Sequence, residues 1–255
     1  MKSIKEKHKI EISIVIPAYN EENNIKETLI AVKKQKYDIP YEIIVVDGQS
    51  SDKTVLIAKK FAKVYISPRR GKVHQLNYAV PKTSGDLLVF LDADTLIGPF
   101  FLYKIHHIFK KRKNLFACSA RFKYYNGKAI SFKFGSLKFT ITSYFFQNVN
   151  MHLYYFFKTL YGYPELSGCN IIVRKDIFLK AGGFKQPPSS LGIDKVFSDS
   201  LIYLSRKQKR GKIKTLNFVS VLTSGRHLNI HRSLKRISQY HSKKDIYYKL
   251  AKEIE

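Results

Sequence analysis

The sequence contains little cysteine and little acid, and no long uninterrupted apolar segment. Its two cysteines, Cys118 and Cys169, lack a C-x-x-C spacing, which argues against a zinc site or a disulfide framework and is typical of a reducing cytosol. No window approaches 18 consecutive apolar residues, so no membrane-spanning helix is predicted. The first residues, MKSIKEKHKIE, also lack the apolar core of a signal peptide. We therefore expect a folded cytoplasmic protein.

The scarcity of acidic residues leaves a strongly basic chain. Lys and Arg number 46 against 19 Asp and Glu, which gives a net charge of +27. From Thr95 to Pro164 there is no acid at all, while Lys, Arg, Phe and Tyr recur throughout. This balance predicts an anionic partner: nucleic acid, an acidic membrane surface or a phosphorylated substrate. Basic residues among aromatics fit single-stranded nucleic acid and a membrane interface equally well.

The first third of the chain alternates between strand and helix patterns. Short apolar runs predict four strands, at residues 12–16, 42–46, 63–67 and 87–91. Helical spacings separate them, and Asn20 is a candidate cap of the first helix. Because the runs do not alternate with polar residues, the strands should be covered on both faces. The predicted fold class is α/β: a mostly parallel, Rossmann-like sheet with helices on both faces.

The second half has a weaker pattern. Residues 122–163 read as irregular and aromatic, whereas 167–184 predict a loop, a short strand and a short helix that ends at a Gly-Gly pair. A helix over about 199–210 and a strand over 213–224 follow. We expect one domain over residues 1–228, with a basic, helical tail at 229–255.

Polar residues follow three of the predicted strands directly. The first strand leads into PAYNEE (17–22), the second into Asp47-Gly48 and the fourth into Asp92-Ala93-Asp94. Ligands of such sheets bind at the carboxyl ends of the strands. Each group alone is explained equally well by turn formation, but three such groups at one edge predict a binding site.

Four segments, IVIPAYNEENNI, IIVVDGQSSDKT, SGDLLVFLDADT and SGCNIIVRKDIFLKAGGF, occur in this order. Together they resemble the family 2 glycosyltransferases with the GT-A fold, over roughly residues 12–226. The resemblance implies an inverting transfer of a sugar from a nucleotide-sugar donor, a UDP- or GDP-sugar, assisted by Mg²⁺ or Mn²⁺. It also divides the domain into a nucleotide-binding half, about 10–95, and an acceptor-side half, about 96–228.

The resemblance places the metal at the D-x-D segment. Asp94 would be the principal metal ligand, and Asp92 would lie near the donor ribose and the metal. Hard cations bind carboxylate oxygens and neutralise the charge that develops on a nucleoside diphosphate leaving group. The alternative for Asp94 is an ordinary turn or helix cap.

By the same resemblance, the donor nucleotide would lie against Pro17, Ala18, Tyr19, Glu21 and Asp47. Tyr19 would contact the base, Glu21 the ribose or base, and Asp47 would accept a hydrogen bond from a base imide N–H. The family commonly has D-D-G-S where this chain has Asp47-Gly48-Gln49-Ser50. The missing second carboxylate weakens any assignment of the base.

Two basic segments are further candidates for donor binding. Arg69, Arg70 and Lys72 match a loop and helix that pass below the diphosphate in the family, although a solvated basic turn explains each equally well. Arg226 and His227 match a closing loop in which Arg or His reaches the donor phosphate or the metal. We assign Arg226 to the donor and His227 to the metal.

An inverting transfer also needs a carboxylate that accepts the proton of the acceptor hydroxyl. The family uses the Asp of a Glu-Asp pair before a helix, beyond the G-G-F element, which matches Asp199 with Ser198 in place of Glu. Asp194 is the alternative base, and Asp199 could instead cap the predicted helix.

The acceptor is expected to be a glycan or a lipid-linked molecule. The aromatic and basic segment 132–163, with Lys133, Lys138 and Lys158, favours a peripheral position on the cytosolic face of an anionic membrane. The same aromatics could instead line an acceptor groove or a dimer contact.

Two other functions compete with the transferase: a basic nucleic-acid-binding protein and a sugar nucleotidyltransferase. Neither is favoured, because the sheet ends carry acids and the loop after the first strand is not Gly-rich; no specific nucleic acid is expected as a partner.

Overall fold

A computed structural model describes residues 9–126, 129–134, 137–142, 148–149, 165–188 and 191–226. The strands are β1 Ile12–Ala18, β2 Tyr41–Asp47, β3 Lys63–Ile66, β4 Leu87–Leu91, β5 Thr95–Ile97, β6 Leu115–Tyr124, β7 Ala129–Phe134, β8 Leu137–Thr142, β9 Asn170–Arg174 and β10 Lys212–Thr223. The α-helices are α1 Ile25–Lys33, α2 Thr54–Ala58, α3 Lys72–Ala79, α4 Phe101–Lys111, α5 Lys175–Lys180 and α6 Ile193–Lys207. A short 3₁₀ helix, Val80–Lys82, extends α3.

Eight strands form one sheet in the order β3-β2-β1-β4-β9-β6-β10-β5. Strands β1 to β4 are mutually parallel where they pair, and β6 pairs with β10 in parallel. Strand β9 is inserted antiparallel between β4 and β6, and β5 pairs antiparallel with β10. The predicted, mostly parallel α/β sheet is confirmed. The carboxyl ends of β1, β2 and β4 lie at one edge, where the polar segments of the sequence follow them.

Helices cover both faces of this sheet. One face packs against α1, α2 and α4 through buried side chains such as Leu29, Ala58 and Ile105. The other packs against α3, α5 and α6, where Leu76 and Phe197 are buried. Strands β1, β2 and β4 contribute apolar side chains to both layers, so their sequences show continuous apolar runs rather than alternation.

The acceptor-side half differs from its predicted pattern in two places. The segment expected to be irregular includes the end of β6 and an antiparallel hairpin of β7 and β8, paired from Ala129–Thr142 to Phe134–Leu137. The helix expected to start near 199 begins at Ile193 instead, with the acidic Asp194 in its first turn. A carboxylate there is favoured by the helix dipole. The expected tail at 229–255, and most of the aromatic segment 132–163, lie outside the described residues.

One local prediction at the first helix was also wrong. The N-cap position of α1 is Asn24, and Asn20 lies earlier, in a left-handed turn with φ of 52°. Within the described part of the chain, no helix is long and apolar enough to span a bilayer.

Candidate active site

The turns after β1 and β2 are joined by a set of hydrogen bonds. The Asn20 backbone N–H donates to Ser50 Oγ at 2.9 Å, and the Ser51 N–H donates to Asn20 Oδ1 at 2.9 Å. The Glu21 N–H donates to Thr54 Oγ1 at 2.7 Å. The left-handed backbone of Asn20 directs its side chain toward the neighbouring turn, as Asn tolerates this conformation well. The two turns therefore form one rigid rim.

A buried glutamine fixes the strand ends beneath this rim. The side-chain amide of Gln75, on α3, donates to the carbonyl oxygens of Ala18 at 2.8 Å and Val46 at 2.7 Å. Pro17 and Ala18 are buried in β1, and the Ala18 carbonyl also accepts the Gly48 N–H at 2.8 Å. Gln75 was missed in the sequence, where the only signal is a polar residue between the apolar Val73 and Leu76.

Asp47 lies at the end of β2 and is fully buried. Its carboxylate accepts a hydrogen bond from the Ser50 N–H at 2.8 Å and another from the Ser50 hydroxyl. Gln49 between them has φ of 67°, a conformation that usually selects glycine. Asp47 thus orders the turn, and the rim beside it is formed by Gly48 and Gln49.

The basic segment after β3 approaches the rim from the side. The guanidinium carbon of Arg70 lies 5.3 Å from the centroid of the Tyr19 ring, a cation–π distance. Tyr19, Arg69 and Arg70 are all exposed. An aromatic face and two cations border the turns of β1 and β2.

The D-x-D segment leaves the sheet at the end of β4. Thr28 of α1 donates its hydroxyl to the Ala93 carbonyl at 2.8 Å, which anchors the residue between the two acids. The Asp94 carboxyl has 13% of its surface exposed. Burial, together with the neighbouring Asp92 carboxylate, raises the pKa of Asp94 to about 6, despite an opposing effect of the Arg226 guanidinium. The negative charge of Asp94 is therefore compensated only in part by the neighbouring cations.

Arg226 lies between two acids that come from different strands. Its guanidinium forms an ion pair with Glu21 and lies 3.4 Å from Asp94 Oδ2. The side chain is 31% exposed, yet its Nε is buried and has no hydrogen-bond partner among the described residues. Burial and the two acids act in opposite directions on the pKa of Arg226, and the acids raise it overall. The predicted donor residues Glu21 and Arg226 are thus brought together with Asp94.

Lys72 reaches the site from the start of α3. Its ammonium forms an ion pair with Asp92 and donates to the Gly168 carbonyl oxygen at 3.0 Å. Gly71 precedes it with φ of 109°, so the helix starts from a turn that favours glycine. Burial opposes the charged form of Lys72, but Asp92 outweighs it and the pKa of Lys72 is raised. Lys72 is therefore held by an acid of the D-x-D segment.

The two candidate bases occupy different places on α6. Asp194, in the first turn, accepts the Gly168 N–H at 3.1 Å through Oδ2. Asp199 lies five residues further along and forms an ion pair with the buried Lys195, while its Oδ2 is buried with no hydrogen-bond partner in the part of the chain that the structure describes. Asp199 therefore lies within the helix and does not precede or cap it. Asp194 faces the same glycine that binds Lys72.

The first residue of β9, Asn170, makes a contact that was not predicted from the sequence. Asn170 receives the Ala120 N–H at 2.6 Å on its Oδ1 and donates to the Ala120 carbonyl at 3.2 Å. This pairing holds β9 against β6. Cys169 and Cys118 are free and buried, and burial raises the pKa of Cys169 to about 12.

The oxygen ligands of the D-x-D segment fit a hard divalent cation. Asp92 and Asp94 follow one strand with a single residue between them, and Asp94 lies among negative groups, Asp92 and Glu21, with only partial compensation. Magnesium sites commonly combine one or two carboxylates with substrate phosphates. Among the described residues, no group of three or more His, Cys, Asp or Glu side chains is arranged to hold a metal. The predicted ligand His227 lies outside the described residues.

Comparison with known proteins agrees with this geometry. The sequence profile of the Glycosyl transferase family 2 matches residues 13–182. The glucosyl-3-phosphoglycerate synthase of Petrotoga mobilis is 36% identical over 113 residues, which cover 39% of this chain and 35% of that protein. The matched stretches of the first relatives cover between 30% and 35% of their lengths.

Solved structures share the fold. A mannosyltransferase of Pyrobaculum calidifontis in complex with GDP-Man and Mn²⁺ superposes with a TM-score of 0.63 at 19% identity, covering 91% of this chain and 62% of that one. TarS of S. aureus in complex with UDP-GlcNAc gives 0.60 at 18% identity, covering 88% and 61%. The GT-A fold is thereby confirmed. Since the family profile spans most of the chain, this protein belongs to the Glycosyl transferase family 2.

Proposed function

We propose that this protein is an inverting, divalent-metal-dependent glycosyltransferase that moves a sugar from a nucleoside diphosphate donor to an acceptor hydroxyl or phosphate. One observation carries the proposal. The acids that follow β4 and the carboxylate that begins α6 lie at the same sheet edge, on opposite sides of the Lys72–Gly168 contact. A transfer of this kind needs both groups: one to hold the leaving group and one to activate the acceptor.

Asp92 and Asp94 are proposed to hold the donor diphosphate through Mg²⁺ or Mn²⁺. When bound, the cation neutralises the charge that develops on the leaving phosphate. The raised pKa of Asp94 supports this role. Arg226 compensates only part of the repulsion between Asp94 and the acids beside it, and a metal ion would relieve the rest. The mannosyltransferase with the same fold was solved with Mn²⁺.

We propose Asp194, rather than the first-ranked Asp199, as the general base. Its contact with Gly168 places it beside the loop that also binds Lys72. Asp199 is neutralised by Lys195 instead, and that lysine is buried. Asp194 would accept the proton of the acceptor oxygen while that oxygen attacks the anomeric carbon, and the nucleoside diphosphate would leave from the opposite face. The anomeric configuration is then inverted.

The nucleotide is proposed to lie along the rim of the β1 and β2 turns. Exposed Tyr19 offers a ring for the base, and Arg69 and Arg70 offer charge for phosphate. Two solved structures with the same fold hold UDP-GlcNAc and GDP-Man respectively, so either nucleotide is a candidate for the donor. Uracil and guanine each carry an imide-type N–H that a rim acceptor could bind.

The experiment that tests this proposal is a panel of UDP- and GDP-sugars. Purified protein is incubated with each donor and with Mn²⁺, Mg²⁺ or chelator, and the released nucleotide and the product anomer are measured. Metal-dependent release and an inverted product are expected with at least one donor. Release that is unchanged by chelator would contradict the metal role, and retention of configuration would contradict the single-displacement mechanism.

A lipid-linked or membrane-associated acceptor is proposed on the sequence alone. The acid-free stretch 95–164 is rich in Phe, Tyr and Lys, a composition suited to a headgroup boundary. With anionic vesicles at low salt, the protein is expected to float, and high salt should release it only in part because the aromatic contribution is not screened. Protein that remains at the bottom of the gradient under these conditions would refute membrane binding.

The two alternative functions, nucleic-acid binding and sugar nucleotidyl transfer, are not proposed, because the chain belongs to the Glycosyl transferase family 2.

A further inference from the structure

The backbone of Gly168 is held by two charged groups, one at its carbonyl oxygen and one at its N–H. Its carbonyl oxygen accepts a hydrogen bond from Lys72 Nζ at 3.0 Å, and its N–H donates to Asp194 Oδ2 at 3.1 Å. The same Lys72 ammonium is paired with Asp92. A continuous line of contacts therefore runs from Asp92 through Lys72 and Gly168 to Asp194.

The four members of this line belong to four different segments. Asp92 follows β4, Lys72 begins α3, Gly168 lies in the loop before β9, and Asp194 is in the first turn of α6. The backbone already joins two of these segments, because β4 pairs with β9 and the Asp92 N–H donates to the Cys169 carbonyl oxygen at 3.1 Å. The side chain of Lys72 adds a contact from α3 to both of them, and it bridges an acid and a carbonyl only while the lysine keeps its charge and length.

The fit around Gly168 is tight as well as polar. A Cβ atom at this position would lie 3.3 Å from both Cγ and Oδ2 of Asp194. Any side chain here would displace the Asp194 carboxylate by some tenths of an ångström. The glycine thus lets the peptide approach the carboxylate closely enough to bind it.

We infer that Lys72 is a positioning residue for the general base. It holds the backbone of Gly168, which in turn binds Asp194, and it is not a direct ligand of the donor phosphate. The inference rests on the proposed function. It assigns to Lys72 the coupling of the two halves of the reaction: the side that holds the leaving group and the side that activates the acceptor. Rates of oriented reactions are sensitive to shifts of this kind, and a misplacement of about 1 Å can cost about a hundredfold.

The role predicts a separation between binding and turnover. Lys72→Met removes the charge but keeps most of the side-chain volume, and Lys72→Arg keeps the charge. We expect Lys72→Met to lower kcat at saturating donor by about ten- to a hundredfold, with the donor Kd changed by less than about threefold. Lys72→Arg should recover part of kcat. A direct phosphate ligand would behave differently, because its loss would weaken donor binding.

A double-mutant cycle with Asp194→Asn makes the test specific. If Lys72 acts through Asp194, adding Lys72→Met to Asp194→Asn should lower kcat no further, since the group that it positions is already lost. Gly168→Ala is an independent probe that changes no charge, and it should lower kcat with donor binding kept. Gly98→Ala is its matched control, because a Cβ there meets nothing within 4 Å.

The measurement is donor Kd by titration, together with kcat for transfer or donor hydrolysis, in all five variants, the double variant and the wild type. A non-additive cycle, with donor Kd preserved in Lys72→Met, is the expected result. Additive effects, a donor Kd that weakens with kcat unchanged, or an unaltered kcat in Lys72→Met would each overturn the inference. Failure of the proposed function is distinguishable, since the wild type itself would then release no nucleotide from any donor.

Discussion

The two parts of the candidate site are held together by different forces. The rim formed by the turns after β1 and β2 is joined mainly by hydrogen bonds with backbone N–H groups, such as those of Asn20 and Glu21. The edge formed by β4, α6 and the loop before β9 also has backbone hydrogen bonds, but its metal-site acids are held by ion pairs, in which Lys72 holds Asp92 and Arg226 holds Asp94. One part is ordered by backbone geometry, and the other by a balance of charge.

This difference separates what should be preformed from what should respond to conditions. Hydrogen bonds to backbone groups change little between pH 5 and pH 8, so the rim offers a constant surface to a nucleotide. At the other edge lie Asp92, Asp94 and Asp194, and Glu21 of the rim shares Arg226 with Asp94, so four acids meet two cations, Lys72 and Arg226. That edge carries an excess of negative charge, and its stability and affinity should depend on protons, metal and salt.

The largest expected effect is on catalysis at the charged edge. Asp94→Asn removes a charged oxygen ligand while keeping the shape of the side chain, and transfer should fall by about a thousandfold, the scale of losing one strong electrostatic contact to the transition state. The metal dependence of nucleotide binding should disappear with it. Turnover and nucleotide affinity with and without Mn²⁺ are the measurements.

Asp86→Asn is the control for this change. Asp86 precedes β4, at the opposite end of the strand, and its side chain is 77% exposed. The same substitution there should leave turnover unchanged. Equal activity of Asp94→Asn and Asp86→Asn would mean that the D-x-D segment holds no metal.

The second effect is on stability, and its sign follows from the pKa of Asp94. The folded protein binds the Asp94 proton more tightly, at a pKa of about 6, than the unfolded chain does at its ordinary value of 3.8. Lowering the pH through 6 therefore stabilises the metal-free fold through this group, by roughly 1 kcal/mol between pH 7 and pH 5. The measurement is the free energy of unfolding in urea with chelator present, as the difference between wild type and Asp94→Asn. If this difference does not vary over the pH range, Asp94 is not a buried carboxylate whose charge is only partly compensated.

A third effect concerns the cation that this edge already contains. Arg226→Gln removes the charge shared by Glu21 and Asp94 while leaving a polar side chain. Metal should then bind the nucleotide-free protein severalfold more tightly, because no side-chain cation competes for the two acids. Binding of Mn²⁺ can be followed by titration in parallel with wild type. Weaker Mn²⁺ binding in the variant would show instead that Arg226 holds these acids in the geometry that the metal requires.

The smallest effect is expected at the rim. Asn20→Ala removes the acceptor for the Ser51 N–H and places a residue poorly suited to φ of 52°, at a cost of about 1 kcal/mol. This loss should be the same at pH 5 and pH 8. Asn20→Asp, which keeps an acceptor oxygen and tolerates the left-handed turn, should be close to wild type in urea unfolding. A strong pH dependence of the Asn20→Ala loss would erase the contrast between the two parts.

The sequence predicts the strands that carry the site better than the contacts between their ends, for physical reasons. The apolar runs of β1, β2 and β4 are long enough to identify each strand, and the acids that end β4 follow directly from it. The start of α6 was placed six residues too late. Asp199 was preferred to Asp194 because it matches the position of the family's Glu-Asp pair, and not because of a contact that the sequence could show. The pairs Lys72–Asp92 and Arg226–Glu21 join residues that are distant in the chain, so only the topology of the sheet brings them together. The insertion of β9 between β4 and β6 leaves no trace in local periodicity.

The most direct test of the account is the comparison of Asp194→Asn with Asp199→Asn under single-turnover conditions, with donor binding measured in both. Asn keeps the size of either side chain but cannot accept the acceptor proton. We expect Asp194→Asn to bind donor and to lose transfer by at least about a hundredfold. Asp199→Asn should chiefly lower stability, because it removes a negative charge that pairs with the buried Lys195. Full loss of transfer in Asp199→Asn, with an active Asp194→Asn, would contradict the arrangement of the charged edge proposed for this enzyme.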